Sequence, residues 1–313
     1  MYTFARLLIF APVAALLAGC ANPDVTQPVA DFLKSTNDAK GVLTTDQTAI
    51  DKSRLDTAYA KAVSPTATVY WDGCALGDQV KLCHVYVDDG SGPIPLNERA
   101  INHNVLVMMG DFASYVDNLN KIAGAKTASE VDTAAGKTKA SISAAAANAQ
   151  KLFPNSNIKA VSAYSGPIIG LASFGLQRIV ERKKVRALIQ ATDAMQPIID
   201  QAAIAFGLVS TQASDLRGAE VNANFVKAEK ALRKAPHDQS KVKTLGDAAD
   251  KFDEYLSLNT KQIFADLASA HGAIRDALHN RNMTFEQLWP YLNNISGNVT
   301  KFAELIKQLK DAG

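Results

Sequence analysis

Three cysteines are the residues of this chain whose thiols could do chemistry, and their surroundings differ. Cys20 follows a positively charged start and an apolar run over residues 7–17. This order is typical of a secretory signal, because the apolar run is too short to form a permanent transmembrane helix. Cys74 and Cys83 lie well downstream. We therefore expect residues 1–19 to be a signal peptide and consider Cys20 separately from the other two.

The tetrad Leu17-Ala18-Gly19-Cys20 resembles the lipobox of bacterial lipoproteins. The resemblance implies cleavage before Cys20, a diacylglyceryl group on its thiol and acylation of the new amino terminus. Each buried methylene of such chains contributes about 0.8 kcal/mol, so the membrane would hold the protein through this residue. Ala21 follows, where an Asp in enterobacterial lipoproteins would favour the inner membrane. The resemblance therefore predicts the outer membrane, with the protein facing the periplasm.

Cys74 and Cys83 form a pair once Cys20 is assigned to the lipid. In an oxidising compartment two remaining cysteines usually form a disulfide. The residues that flank them are β-branched or aromatic, which is typical of strands. We predict a small β-hairpin over residues 66–95, closed by this disulfide. A redox-active pair would usually have a Cys-x-x-Cys spacing, and that spacing is absent.

The remaining reactive side chains form no recognisable catalytic or metal-binding pattern. The five histidines are scattered along the sequence, and no Glu-x-x-His motif suggests a di-iron bundle. Acidic residues are common, but the sequence alone does not pair any of them. The 33 basic and 31 acidic residues nearly balance, which gives no electrostatic reason to expect nucleic-acid binding. We predict no catalytic residue, no metal and no cofactor.

Three aromatic residues of the hairpin could bind a partner: Tyr70, Trp71 and Tyr86. Exposed tyrosine and tryptophan side chains are suited to contacts with protein or glycan. The alternative is that these side chains fold onto the helices and form a small satellite core. Both interpretations remain open from the sequence.

An uncharged segment over residues 160–176 is the other unusual feature. Basic residues follow it, which is the order of a membrane segment and its flanking charges. An apolar segment between long helices resembles, in architecture only, the α-helical pore-forming toxins of the cytolysin A type. The alternative is a buried entry to the next helix. The residues that would form an apolar tip are Ile168, Ile169, Leu171 and Phe174.

Composition and periodicity predict an all-α fold. Alanine is abundant, only 7% of residues are aromatic, and apolar residues recur at helical spacing. The last two stretches are especially regular: one steps by seven and four from Leu245 to Leu278, and the other follows a heptad from Phe285 to Leu309. Thr284 to Gln287 fits a capping box for the last helix. The predicted helices cover Val29–Val63, Leu96–Phe153, Leu176–Lys234, Leu245–Leu278 and the residues from Thr284 onward.

These apolar stripes require the helices to pack together. We expect an elongated antiparallel up-and-down bundle of about five long helices over residues 29–313, with a tether over 20–28 and the hairpin inserted. Short turns at residues 154–157, 236–240 and 280–282 would make neighbouring helices antiparallel.

Three functional hypotheses follow from the sequence. The first is a lipid-anchored, non-catalytic envelope protein with a structural or protein-interaction role, bound to the membrane through Cys20 and to another envelope protein. The second is a membrane-active protein that uses residues 160–176. The third is an enzyme that uses carboxylates in a cleft.

Overall fold

The computed structural model describes residues 24–72, 84–96, 103–153, 176–280 and 284–311. These residues form an all-α bundle with one small antiparallel sheet, which confirms the predicted fold class. The described residues contain seven helices, not five, because two predicted helices are each divided. The helices are α1 Thr26–Ala62, α2 His103–Gly124, α3 Ala128–Leu152, α4 Leu176–Lys234, α5 Gln239–Ser257, α6 Thr260–His279 and α7 Trp289–Asp311. The strands are β1 Thr68–Asp72, β2 His84–Asp88 and β3 Ile94–Pro95.

The bundle begins earlier than predicted, at the start of α1. Val25 is buried, and Thr26 opens the helix, so residues 25–28 belong to the bundle and not to a tether. Pro28 is tolerated because the first turn of a helix does not need its missing N–H. The Asp24 carboxylate accepts a hydrogen bond from the Thr26 backbone N–H at 2.9 Å. Only residues 21–24 then separate Cys20 from the core.

The second predicted helix is divided into α2 and α3 by a turn at residues 125–127. Thr127 accepts a hydrogen bond from the Glu130 N–H, and the Glu130 side chain accepts one from the Thr127 N–H. This reciprocal pair is a capping box, which fixes the first turn of α3. The prediction of one long helix was wrong because the apolar stripe continues across the turn.

The fourth predicted helix is also divided, into α5 and α6. Asn259 caps α6 by accepting a hydrogen bond from the Gln262 N–H at 3.1 Å. Leu256, which the sequence pattern placed in the buried seam, is 65% exposed. The regular spacing of seven and four therefore continues across two separate helices. Its apolar residues are fully buried only in α6, from Ile263 to Leu278.

The heptad seam of α7 is confirmed, although its start is not. Leu288 and Ile295 are fully buried, and Phe302 is nearly so. The helix begins at Trp289, and residues 286–288 form a turn before it. The expected capping box at Thr284 therefore does not open this helix. Pro290 lies in its first turn, where a proline is well tolerated.

Consecutive helices alternate in direction with two exceptions, the pairs α3–α4 and α5–α6. Helices α5 and α6 both run antiparallel to α4, as the contacts Gly218–Tyr255, Phe225–Phe252, Phe206–Phe264 and Gln196–His271 show. Two hydrogen bonds between α2 and α3 show that these helices are antiparallel. The contacts of α1 show that it is antiparallel to α2. They also show that α1 is parallel to α4. Hence α3 and α4 are parallel, so the expectation that they are antiparallel was wrong. The turn predicted at residues 154–157 lies outside the described residues. The residue pairs that show the directions of α1 to α4 are Asn118–Ser141, Asp111–Asn148, Thr26–Ala123, Phe32–Phe112, Asp24–Lys184 and Asp46–Ser210.

Helix α4 is the central element of the bundle. Its 59 residues give a length of about 90 Å at 1.5 Å per residue. It contacts α1, α2, α3, α5 and α6 along this length. Its bounds agree with the prediction. We call the end of the bundle where α1 begins the proximal end, and the end where α4 finishes the distal end.

The sheet has three strands in the order β1-β2-β3, one more than the predicted hairpin. β1 pairs with β2 from Thr68↔Asp88 to Asp72↔His84, and β3 adds a short second pair. Gly90 and Gly92, with φ of 93° and 115°, form the turn between β2 and β3, where other residues would be strained. Cys74 and Cys83 lie outside the described residues, so their disulfide stays a prediction.

Candidate interaction surface

Strand β1 exposes its side chains on both faces of the sheet. Val69 is 48% exposed, Tyr70 is 39% exposed and Trp71 is 69% exposed. β1 is an edge strand, because only β2 pairs with it among the described strands. Tyr70 and Trp71 therefore do not form the satellite core that was the alternative from the sequence. They belong to an exposed surface, which we call the β1 surface (residues 68–71 and Tyr86).

The two faces of β1 differ in their neighbours. Tyr70 stacks on its cross-strand partner Tyr86, with ring centroids 5.4 Å apart. Val69 and Trp71 lie on the other face, which they share with Val87, because side chains alternate along a strand. Val87 is fully buried, and α1 contacts β2 and β3. Helix α1 therefore covers that face at β2 and β3, whereas β1 projects beyond it.

Helix α1 holds the rest of the sheet in place through its basic side chains. Arg54 donates a hydrogen bond to the Pro95 carbonyl, and Lys61 forms an ion pair with Asp89 at 3.2 Å. Hydrogen bonds from the Ser91 hydroxyl and N–H lower the pKa of Asp89 to about 2, so this carboxylate is ionised at neutral pH. The sheet thus presents β1 from a fixed position on the bundle.

A second group of polar residues lies inside the bundle around His271. The Tyr115 hydroxyl lies 2.8 Å from Nε2 of His271. The Nδ1–H of His271 donates a hydrogen bond to Gln196 Oε1 at 2.7 Å. His271 is fully buried, and burial lowers its pKa to about 3. The neutral ring therefore uses both nitrogens to join α2, α4 and α6. Because it is enclosed, it serves packing rather than contact with a solvent-borne substrate.

A third group joins α1, α4 and α7. Arg217 forms an ion pair with Asp46 at 2.6 Å, and Ser210 donates a hydrogen bond to the other oxygen of Asp46. The Arg217 guanidinium also lies 5.1 Å from the centre of the Phe302 ring. Burial raises the pKa of Asp46, while Arg217 and Ser210 oppose that rise. Arg217 Nε and Nη2 and the Gln47 side chain have no hydrogen-bond partner among the described residues.

Neither the ionisable residues nor the grooves form a recognisable active centre in the described ranges. No group of three or more His, Cys, Asp or Glu residues is placed there to hold a metal ion. A groove of about 530 Å³ between α1 and α7 has a mainly apolar lining that includes Val42, Phe302 and Ile306. A second groove of about 620 Å³ lies at the α2–α3 turn, beside Lys121 and Glu130.

Several predicted site residues lie outside the described residues: Cys20, Cys74, Cys83, Ile168, Ile169, Leu171 and Phe174. Lipidation, the disulfide and the membrane-active segment therefore stay predictions. In the described part of the chain, none of the helices has the length and apolar character needed to cross a bilayer.

The buried polar residues were missed by sequence reasoning. His271 and Arg217 each lie on the apolar stripe of a helix. From the sequence alone, a polar residue in such a stripe could be buried in the core or could lie at its edge and reach solvent. The only signal was their place on an otherwise apolar stripe.

Comparisons with known proteins identify no relative. The sequence matches no protein-family model, no curated protein and no solved structure.

Proposed function

We propose that this protein is a lipid-anchored, non-catalytic envelope protein that binds another envelope protein through the β1 surface at the periplasmic face of the outer membrane. The observation that carries the proposal is the exposure of Val69, Tyr70 and Trp71 on an edge strand. An edge strand presents unpaired backbone groups, and proteins normally protect such edges with charge, proline or a covering segment.

The sequence of β1 offers little such protection. Thr68 to Trp71 contain no charge and no proline, and only Asp72 ends the strand with a carboxylate. An extended segment of a partner could add a strand here, with main-chain hydrogen bonds giving affinity and alternate side chains giving specificity. Aromatic residues such as Trp71 are common at the energetic centres of protein interfaces.

The start of the bundle supports the proposed anchor. Val25 is 4% exposed and lies five positions after Cys20, so a lipid on Cys20 would hold the proximal end close to the membrane. Five residue steps span at most about 17 Å when fully extended. The β1 surface is carried by the other end of α1 and would therefore face away from that membrane.

The anchor is tested by Cys20→Ser, because a hydroxyl cannot form the thioether. We expect the wild-type protein to fractionate with the outer membrane and the variant to be lost from it. Mass spectrometry of the amino-terminal peptide should find the acyl chains only in the wild type. An unmodified Cys20 in the wild type would refute the anchor.

The β1 surface is tested by a photoreactive amino acid at Trp71, with Val107 as the control. Val107 is an exposed apolar residue of α2 at 38% exposure, away from the sheet. We expect a discrete crosslinked product from Trp71 in intact cells and none from Val107. A Tyr70→Lys change on the same strand should suppress the product. Equal crosslinking from both positions, or substrate turnover that depends on one polar residue, would contradict the proposal.

A further inference from the structure

The distal tip, residues 227–243, is one of two strongly basic stretches of the described bundle, the other being residues 178–186 near the proximal end. The distal tip contains six basic and two acidic residues, a net charge of +4, whereas the whole chain carries +2. Glu229 is paired with Arg233, and Asp238 caps α5 by accepting hydrogen bonds from Ser240 and Lys241. Four lysines of the distal tip form no ion pair with described residues: Lys227, Lys230, Lys234 and Lys241.

This tip projects beyond the other helices. The last buried contact between α4 and α7 involves Val221, with Leu305 and Leu309. Within residues 222–251, all of which are described, only Ala228 and Ala248 are buried. The tip is therefore a two-helix hairpin with solvent on most sides. Its convex shape is unlike a groove that would enclose a small ligand or a peptide.

Two of the basic residues at the proximal end are paired with acidic residues. Lys183 pairs with Asp132 at 2.6 Å, and Lys184 pairs with Glu181 at 2.8 Å. Lys184 is also largely buried, at 8% exposure. Arg182 and Arg186 lie beside them, are exposed and form no ion pair with described residues. The unpaired lysines of the distal tip differ from these arginines because they stand on a hairpin that projects beyond the other helices.

The kinds of residue at the distal tip indicate the chemistry of the partner. Five of the six basic residues are lysines, and the single arginine is already engaged by Glu229. Lysine is a flexible point charge, while arginine provides the fixed geometry needed to recognise one carboxylate or phosphate. Val242 lies between Lys241 and Lys243 and is 52% exposed. An aliphatic side chain among lysines suits the headgroup region of a bilayer.

The position of the distal tip fits a role at a second surface. Asp24 lies near Lys184 at the proximal end, and Lys234 is 50 residues further along α4. At 1.5 Å per residue these 50 residues span about 75 Å. We propose that the distal tip binds an anionic lipid bilayer, an inference that rests on the proposed function only for the anchoring of the opposite end. The protein would then connect two surfaces.

The test uses full-length protein inserted through its anchor into phosphatidylcholine vesicles. These are mixed with vesicles of phosphatidylcholine, with or without phosphatidylglycerol, and clustering is followed by light scattering. We expect clustering with the anionic vesicles to be at least about tenfold faster, because each lysine near an anionic surface contributes about 1 kcal/mol. Added salt should slow it by screening.

The decisive variant replaces four lysines of the distal tip by glutamine: Lys227, Lys230, Lys234 and Lys241. The matched control replaces four exposed lysines elsewhere on the bundle: Lys34, Lys40, Lys139 and Lys301. Clustering should be lost in the tip variant and kept in the control. Equal clustering by both variants, or clustering with uncharged vesicles, would overturn the proposal. So would a tip that binds soluble polyglutamate but not anionic vesicles.

A protein that does not insert into vesicles would count against the lipid anchor and not against the distal tip. In that case the same two variants are sedimented directly with anionic vesicles. Binding by the control but not by the tip variant supports the inference, and binding by neither or by both overturns it. Thermal unfolding of each variant confirms that the bundle is intact.

Discussion

The polar cluster around His271 and the one around Asp46 both join α4 to neighbouring helices. They differ in how the free-energy cost of burying their polar groups is offset. The His271 ring is neutral, and Tyr115 and Gln196 each form a hydrogen bond with one of its two nitrogens. At Asp46 an ion pair is kept in the core, and two nitrogens of Arg217 have no described partner. Neutral hydrogen-bonded networks are cheaper to bury than ion pairs. The first cluster should therefore stabilise the fold, and the second should mainly fix how α1, α4 and α7 meet.

Acidification should cause the largest loss of stability, through His271. Its pKa is about 3 in the folded chain and near 6.5 when unfolded, so the fold favours the neutral ring. This contribution is complete above pH 6.5 and is lost as pH falls from 6.5 toward 3, by up to about 5 kcal/mol. Denaturant unfolding across that range measures it. His271→Gln should flatten the pH dependence, and His237→Gln at an exposed position serves as the control substitution.

Removing one member of the ion pair should have the next largest effect. Arg217→Met leaves the Asp46 carboxylate buried without its cation, and we expect a loss of about 4 kcal/mol in the free energy of unfolding. The double change Asp46→Leu with Arg217→Met should recover most of that loss. If the double variant is no more stable than the single one, the ion pair itself would be the main source of stability there.

Two glutamines should respond in opposite directions. Gln196→Leu removes the acceptor of the His271 Nδ1–H and should cost about 1–3 kcal/mol. Gln47→Leu removes a buried amide that has no described partner and should raise stability by about 1 kcal/mol. Thermal unfolding of both variants is sufficient. A loss of stability in Gln47→Leu would mean that its amide has a partner in solution.

The smallest effect is expected at the β1 surface. Trp71→Ser should change the free energy of unfolding by less than about 0.5 kcal/mol, because the indole is 69% exposed. The same change should weaken binding of the partner to the β1 surface. A large loss of stability would place Trp71 in the core of the folded protein, together with the two polar clusters.

The fold class and the seam of α7 could be predicted because they depend on periodicity alone. The divisions at Thr127 and Asn259 do not follow from periodicity, since the apolar stripe continues through both, and a single capping residue decides each break. A search for capping boxes would have found Thr127 and Glu130. The parallel course of α3 and α4 depends on contacts distant in sequence, which no local pattern reports.

For the candidate site, the sequence identified the right aromatic residues but not their exposure. Tyr70, Trp71 and Tyr86 have the same strand pattern whether or not α1 covers them. The extent of α1 decides the outcome, because it passes beneath β2 and β3 and leaves β1 uncovered. The distal tip was missed because its charge is spread over two helices and becomes concentrated only when they fold back on each other.

The early burial of Val25 has a consequence for encounter rates. On a long flexible tether the protein would range over a wide volume, which would lower the effective concentration of its binding sites. With the proposed lipid on Cys20 and only four residues between it and Val25, the distal tip and the β1 surface would be confined to thin layers at set heights above the bilayer. A target lying within such a layer meets a high effective concentration, and one outside it meets almost none. The short connection would thus select partners by their distance from the membrane before any contact is made.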